Sequence, residues 1–305
     1  MWKVGGHLRV GIPRGLFWYY DPDAYKIFWE TLGFEVVQSP PTNRGIFESG
    51  LRFAHEELCL PVKAFHGHIR YLSSKVDFIF IPRIVSRVIS KKKRYGCPKF
   101  IGLPELIKSS VPDLPPIITI DIVSDNNLED SYRRLKTLGI KPKMIDHALK
   151  KMNSFQKRED DHNQDEHGLR VGVVGHPYLI YDRYLSCNLL DKLEKLGLRY
   201  TTSADISKEI IEAEIKREFD LFWIYERELV GAASYFASCG RYHGILHCIS
   251  FCCGAGSIMG EMIQRRVIDG KDLPLFTLVL DENTGDAGLL TRLEAFSDMI
   301  RLKFQ

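Results

Sequence analysis

The chain has 305 residues, 45% of them hydrophobic and 27% charged, with a formal net charge of +3. That length accommodates about two domains, each burying a core without covalent staples, and the composition excludes wholesale disorder. So small a basic excess excludes nucleic-acid binding driven by overall charge.

The first residues, Met1-Trp-Lys-Val-Gly-Gly-His7, lack the apolar core of a secretory signal. No uninterrupted apolar run approaches the roughly 18 residues of a bilayer span. A cytoplasmic protein without a membrane partner is expected. There the seven cysteines, odd in number and without framework spacing, read as reduced thiols.

In chain order, His7-Leu-Arg-Val-Gly-Ile-Pro-Arg-Gly15 opens a strand, followed by a helix over Ala24 to Leu32 closed by Gly33 and a strand over Phe34 to Val37. A helix is expected from Ile46 to Leu58, and another from near Val62, with Pro61 between them. Phe78–Ile81 and Ile117–Asp121 read as strands. The basic run Lys91–Arg94 reads as a solvated loop. The pattern then restarts. Gly168-Leu-Arg-Val-Gly-Val-Val-Gly-His176 matches the opening, the helix Leu189–Leu196 is closed by Gly197, and Leu198–Thr201 follows as a strand. Leu221–Ile224, Ile245–Phe251 and Leu275–Leu280 complete the apolar runs.

Continuous apolar strands of this length suit parallel sheets covered by helices on both faces. The sequence therefore predicts an α/β protein of two doubly wound, Rossmann-like parallel-sheet domains arising from a duplication. Their expected bounds are 1–153 and 168–305, with a polar linker over 154–167. Neither half carries a Gly-rich phosphate loop. Proline stands in both first loops, where such a loop needs backbone donors. In such sheets a ligand binds beyond the carboxyl ends of the strands.

Three thiols fall at breaks between elements, where sites are usually built. Cys253 follows the strand run Ile245–Phe251 and precedes Gly254-Ala-Gly256 at a helix opening, where the dipole and free amides favour a thiolate. Cys59 lies in Glu56-Glu-Leu-Cys-Leu-Pro-Val-Lys63, between two helices, and Cys97 lies in the loop Tyr95-Gly-Cys-Pro-Lys99. Cys187, on the apolar side of a helix, and Cys248, in a strand, read as small buried hydrophobes, and Cys239 as a helix end. Cys252 reads as a packed neighbour of Cys253 or as its alternative. Without a Cys-x-x-Cys pair, spacing alone leaves open whether these thiols are packed, nucleophilic with a base among His66, His68, His176 and His243, or bound to metal.

Several segments together carry a family resemblance. They are Ile12-Pro-Arg14, Val36-Val-Gln-Ser-Pro-Pro-Thr-Asn43, Cys59-Leu-Pro-Val-Lys-Ala-Phe-His-Gly-His68, Phe80-Ile-Pro-Arg-Ile-Val-Ser86, Cys97-Pro-Lys-Phe-Ile-Gly-Leu-Pro104, Gly175-His-Pro-Tyr178, and the stretch from Leu280-Asp-Glu-Asn-Thr-Gly285 to Thr291–Phe296. In this order they resemble proteins related to the activators of 2-hydroxyacyl-CoA dehydratases, themselves similar to the iron-sulfur subunits of those enzymes. The resemblance implies a [4Fe-4S] cluster held by Cys59, Cys97 and Cys253 in a cleft between the domains, with Cys252 as the alternative third ligand.

It further implies an electron-transfer or reductase component. The family's ATP-hydrolysing activator module is absent here, so electrons would come from a separate activator protein with its own cluster. The substrate would be a small molecule or an acyl-CoA, and the assembly a homo- or heterodimer. Lys63, His66, His68 and His176 would form the cluster environment, and Asp281, Glu282 and Thr284 would close the cleft or cap the helix from Ala287. One departure stands out: the family continues its third cysteine as Cys-Gly-Pro-Asp, whereas this chain has Cys253-Gly-Ala-Gly256. Two rivals remain. A double-cubane iron-sulfur centre would recruit further ligands from Cys187, Cys239, Cys248 and Cys252. A non-enzymatic scaffold or regulator would hold zinc or no metal.

Overall fold

The computed structural model describes residues 8–89, 91–123, 132, 134–154, 168–215 and 220–304. The expected linker therefore lies, apart from Ser154, outside the described residues. By contacts the chain divides into two compact units, Met1–Glu56 with Val62–Arg158, and Glu57–Pro61 with Glu159–Gln305. Cys59 thus groups with the second unit, although the sequence before and after it builds the first.

In the first unit β1 (Arg9–Ile12), β2 (Glu35–Gln38), β3 (Phe78–Ile84) and β6 (Ile117–Ile122) form a parallel sheet of order β2-β1-β3-β6, while β4 (Ser86–Ile89) and β5 (Lys92–Tyr95) make an antiparallel hairpin. The basic run is therefore mostly strand rather than loop. Its register pairs Arg87 with Arg94 and leaves Arg94 buried. In the second unit β7 (Arg170–Val174), β8 (Arg199–Thr202), β9 (Gly244–Ser250) and β10 (Leu275–Leu280) form a parallel sheet of order β10-β9-β7-β8. Read from its second strand, each sheet runs second, first, third, fourth. Val10 pairs with Phe78 as Val171 pairs with Gly244, so the duplicated plan extends to strand register.

The central strands β3 and β9 are almost wholly buried because helices cover both faces. In the first core Trp29 lies edge-on to Phe78 and Phe80, with ring centroids 5.4 and 5.3 Å apart. The second gathers Phe236, Ile245, Met259 and Ile263. Gly33 and Gly197 both take positive φ, 88° and 70°, as the left-handed caps expected after the first helix of each half.

Three expected elements differ. The helix predicted to reach Leu58 spans Arg44–Leu51, capped by Asn43, whose side chain accepts the Ile46 N–H at 3.1 Å; the next begins at Leu60 and runs to Leu72. A Cβ at Gly67 would overlap the Ile46 carbonyl and one at Gly50 the Lys63 carbonyl, so two glycines let these helices meet backbone to backbone. Leu221–Ile224 is not a strand. Its end starts the helix Ile224–Ser238, since a short apolar run suits a buried helix start as well as a strand. Cys187 lies not on the helix Leu189–Lys195 but in the turn before it, at φ 49°.

Candidate functional site

Both sheets reverse strand order between their first and third strands, the place where open α/β sheets bind ligands beyond their carboxyl ends. In the second unit those ends are the loop after β7, with His176, and the loop after β9, with Cys252 and Cys253.

Cys253 caps the helix Gly254–Met262, which opens at the expected glycines. Its Sγ accepts the Gly256 N–H at 3.4 Å, and its own N–H donates to the Ser250 carbonyl at 3.1 Å. A half-exposed thiol at a helix N-terminus is placed for thiolate chemistry. Cys59 reaches the same strand end. The N–H of the next residue, Leu60, donates to Ser250 Oγ at 2.8 Å, and that hydroxyl donates to the Phe251 carbonyl at 3.0 Å. One serine closing β9 therefore ties both cysteine segments, which explains why Cys59 groups with the second unit.

Cys97 belongs to the first unit. It precedes the short helix Pro98–Ile101, and its carbonyl accepts the N–H groups of Phe100 and Ile101 at 2.9 and 3.0 Å. Among the described residues no group of three or more histidines, cysteines or acids is gathered so as to hold a metal ion.

The other thiols sort differently. Cys248 is 1% exposed inside β9, and burial pushes its thiol up. Burial also raises the Cys187 thiol, whose Sγ donates to the Thr284 carbonyl at 3.5 Å. Cys239 is the C-cap of Ile224–Ser238, and Cys252 takes a positive φ of 62° beside Cys253.

The histidines and lysine expected around a cluster sit on two elements. Lys63, His66 and His68 are buried on the helix Leu60–Leu72. His66 Nδ1 donates to the Val62 carbonyl at 2.7 Å, and burial lowers its pKa. His68 lies 2.9 Å from Ser39 Oγ through Nδ1 and 3.0 Å from Thr42 Oγ1 through Nε2; burial, with Arg14 adding to it, lowers its pKa to about 3. Ser39 follows β2 and accepts the N–H of Arg14, which follows β1. Ser203, after β8, likewise accepts the N–H of Gly175, after β7, at 3.3 Å.

His176 is the N-cap of the short helix Pro177–Ile180, with its ring stacked on Tyr178 at 4.9 Å between centroids. Among the described residues neither ring nitrogen has a hydrogen-bond partner, and Nε2 lies 3.8 Å from Glu226 Oε1. Burial, then the neighbouring His247, lowers the His176 pKa to about 3; burial lowers that of His247 to about 4 and raises that of Glu226 to about 7. Sequence reading missed His247 and Glu226. The one available signal was a histidine interrupting the apolar run Ile245–Ile249, since the first-turn acid of a helix has nothing to mark it. Asp281 and Thr284 brace the turn before the last helix, Asp286–Phe304, Thr284 Oγ1 donating to Asp281 Oδ1 at 2.8 Å and accepting the Asp281 N–H at 2.9 Å.

Two surface grooves lie on the second unit. One, of about 690 Å³, is lined by Leu273, Pro274, Met299 and Leu302 among others and includes no residue of the cysteine loops. The other, of about 380 Å³, shares Met259 and Met262 with the helix that Cys253 caps, beside Phe222, Trp223 and Arg266. Its share in that helix makes it the groove of interest, although it is the smaller. No described helix is long and apolar enough to cross a membrane.

No curated protein matches the chain. A family model, the CoA enzyme activase uncharacterised domain (DUF2229), matches residues 9–206. The match takes in Cys59, Cys97 and His176, all of the first sheet and the first two strands of the second. Because it spans more than half of the sequence and follows the duplicated strand plan from β1 to β8, the chain belongs to the CoA enzyme activase uncharacterised domain family.

Proposed function

We propose that this protein is an iron-sulfur electron-transfer or reductase component, similar to the cluster-bearing subunits of 2-hydroxyacyl-CoA dehydratases, in which Cys59, Cys97 and Cys253 hold a [4Fe-4S] cluster. The observation that carries the reading is the link through Ser250, which brings the Cys59 and Cys253 segments to one strand end from distant parts of the sequence. The donor chemistry is compatible: iron-sulfur clusters take soft thiolates converging from any part of a chain. When bound, the cluster supplies one-electron chemistry at an iron open to a small ligand.

The chain's own residues would then do the following. The amides opening the helix Gly254–Met262 stabilise negative charge on the Cys253 sulfur. Ser250 fixes the approach of Leu60 and hence the course of Cys59. The buried side chains of Lys63, His66 and His68 belong to the helix that Cys59 leads into; since His66 Nδ1 and both His68 nitrogens are engaged within the protein, their part would be to set the polarity around a cluster rather than to bond to it. The electron donor in this reading is a separate ATP-hydrolysing activator with its own cluster, and the acceptor a small molecule or acyl-CoA.

A single cluster is favoured over a double-cubane centre, since Cys248 is sealed within β9 and burial disfavours the thiolate of Cys187. The test is anaerobic expression and reconstitution, followed by iron and sulfide analysis and EPR after reduction. About four iron and four sulfide per chain are expected for one [4Fe-4S] centre. A colourless, iron-free protein after reconstitution overturns the reading, and about twice that iron would favour the double-cubane centre.

A further inference from the structure

At the end of the second sheet lies a second constellation that the cysteine site does not use. His176, Glu226 and His247 are 6%, 2% and 0% exposed. Among the described residues His176 Nδ1 and Nε2, His247 Nδ1 and Nε2, and Glu226 Oε2 have no hydrogen-bond partner. Buried polar groups in folded proteins are ordinarily satisfied, by protein or by internal water, and leaving even one unmet costs about 1–3 kcal/mol. Five such atoms on three ionisable side chains point to a built site rather than to a packing defect.

The surroundings keep the site from being neutralised. Arg227, next to Glu226, is turned away into a two-pronged pair with Glu212, at 2.9 and 2.7 Å. Glu228, on the same helix, makes a charge on Glu226 less favourable still. Asp205, in the turn packed on that helix, is engaged by the N–H and hydroxyl of Thr202, at 2.7 and 2.8 Å. On the helical segments that follow Cys253, Glu261 is paired with Arg265, and Arg266 lies in the groove with Asp220. The Tyr178 and Tyr225 rings flank His176. His247 lies directly under Gly260, where a Cβ would come within 2.9 Å of its ring. Among the described residues no lysine or arginine is paired with Glu226, and burial has already moved its pKa to about 7.

We infer that His176, Glu226 and His247 form a buried proton-transfer site at the carboxyl end of the second sheet, whose ligand is water and whose cargo is a single proton. Glu226 Oε1 and His176 Nε2 are 3.8 Å apart, too far for a hydrogen bond and near enough for a small side-chain shift or one bridging water to make one. In the transfer the Glu226 O–H bond breaks and its electron pair stays on the carboxylate. An N–H bond forms at His176 Nε2 as the Nδ1–H bond breaks and its proton passes to a water in the crevice, which becomes hydronium. The imidazole ends neutral in its other tautomer, and a hydronium ion from solvent returns a proton to the Glu226 carboxylate, so that one proton has crossed and water is left behind. The neighbouring His247 lowers the His176 pKa further and so keeps that imidazole neutral between transfers. The inference uses no cysteine and stands whether or not the chain carries iron.

Infrared spectroscopy of the full chain at neutral pH tests it. A carboxylic acid C=O band is expected that disappears in Glu226→Gln and shifts on transfer to deuterated water. In His176→Asn the same shift is expected to be about a hundredfold slower, the scale of a lost general acid-base partner. A merely structural role for His176 would instead loosen the site and speed exchange. The inference is overturned if folded Glu226→Gln keeps every protonated-carboxyl band, or if His176→Asn exchanges as fast as the unsubstituted chain. Should either variant fail to fold, carbon-13 NMR of glutamate-labelled, unsubstituted protein decides: one glutamate titrating near neutrality supports the site, and all of them titrating in the ordinary carboxylate range overturns it.

Discussion

At the end of the first sheet the imidazole of His68 is held on both ring nitrogens, by Ser39 and Thr42; at the end of the second, those of His176 and His247 are held on neither by any described residue. The two places are built on one plan. Matching the duplicated openings places His176 where the first half has Gly15, and the shared strand register places His247 where it has Ile81. Gly15 leaves room for the ring of His68, which a Cβ there would approach to 3.4 Å. The first unit thus holds the His68 ring at its strand ends through two hydroxyls, although Arg14 Nε, Gln38 Nε2 and His66 Nε2 of the same unit are unmatched among the described residues. The second imports two histidines and an acid and leaves them unmatched. A satisfied buried network is structural, whereas an unsatisfied one kept beside cysteines is a mark of chemistry.

The largest effect expected from breaking this contrast is on metal content. Cys59→Ser and Cys253→Ser, which remove the two thiols tied to the second strand end, should each lose most of the iron taken up on anaerobic reconstitution. Cys187→Ser should keep it, and retention in Cys253→Ser with loss in Cys252→Ser would move the third ligand one residue. Iron assay of the purified variants reads the outcome.

Glu226→Gln comes next. Because its folded pKa is raised from 4.5 to about 7, the carboxyl favours the fold below pH 4.5 and that advantage is lost as pH rises to about 7. The variant should therefore gain up to about 3 kcal/mol in urea unfolding at pH 8 and little at pH 4. The histidines have the opposite sign. With folded pKa values of about 3 and 4, His176 and His247 contribute stability that is present above pH 6.5 and lost progressively as acid approaches those values. Unfolding midpoints measured across pH should show both slopes, and Glu226→Gln should remove only the first.

A smaller pair of changes sharpens the comparison directly. Thr42→Val strands a ring nitrogen of His68 and should cost about 1–3 kcal/mol. His247→Ile restores the first unit's residue, removes two unmatched nitrogens and should be neutral or stabilising. Equal losses in the two variants would mean that His247 has partners after all. Smallest is Ser250→Ala, expected to cost about 1 kcal/mol through the stranded Leu60 N–H and to lower iron retention without abolishing it.

Much of the frame is legible in the residues. Continuous apolar runs mark β3, β6, β9 and β10, and the repeated opening with its two glycine caps predicts the doubled sheet. The failures have local causes. Leu221–Ile224 is too short for periodicity to separate strand from helix, and Lys92–Arg94 of the basic run pairs across a hairpin that its charge conceals. Of the site, Cys253 at a helix opening follows from Gly254-Ala-Gly256. The grouping of Cys59 with the second unit does not follow from any local pattern.

The sequence by itself determined the order of elements, the duplication and the placing of three thiols at element breaks, because periodicity, caps and turn residues act over a few neighbours. Only the tertiary structure decided that Leu60 and Ser250, 190 residues apart, share a hydrogen bond. It alone decided, too, that His68 is satisfied while His176, Glu226 and His247 are not. Partnership and desolvation depend on what the rest of the chain brings alongside, and no window of sequence contains that information.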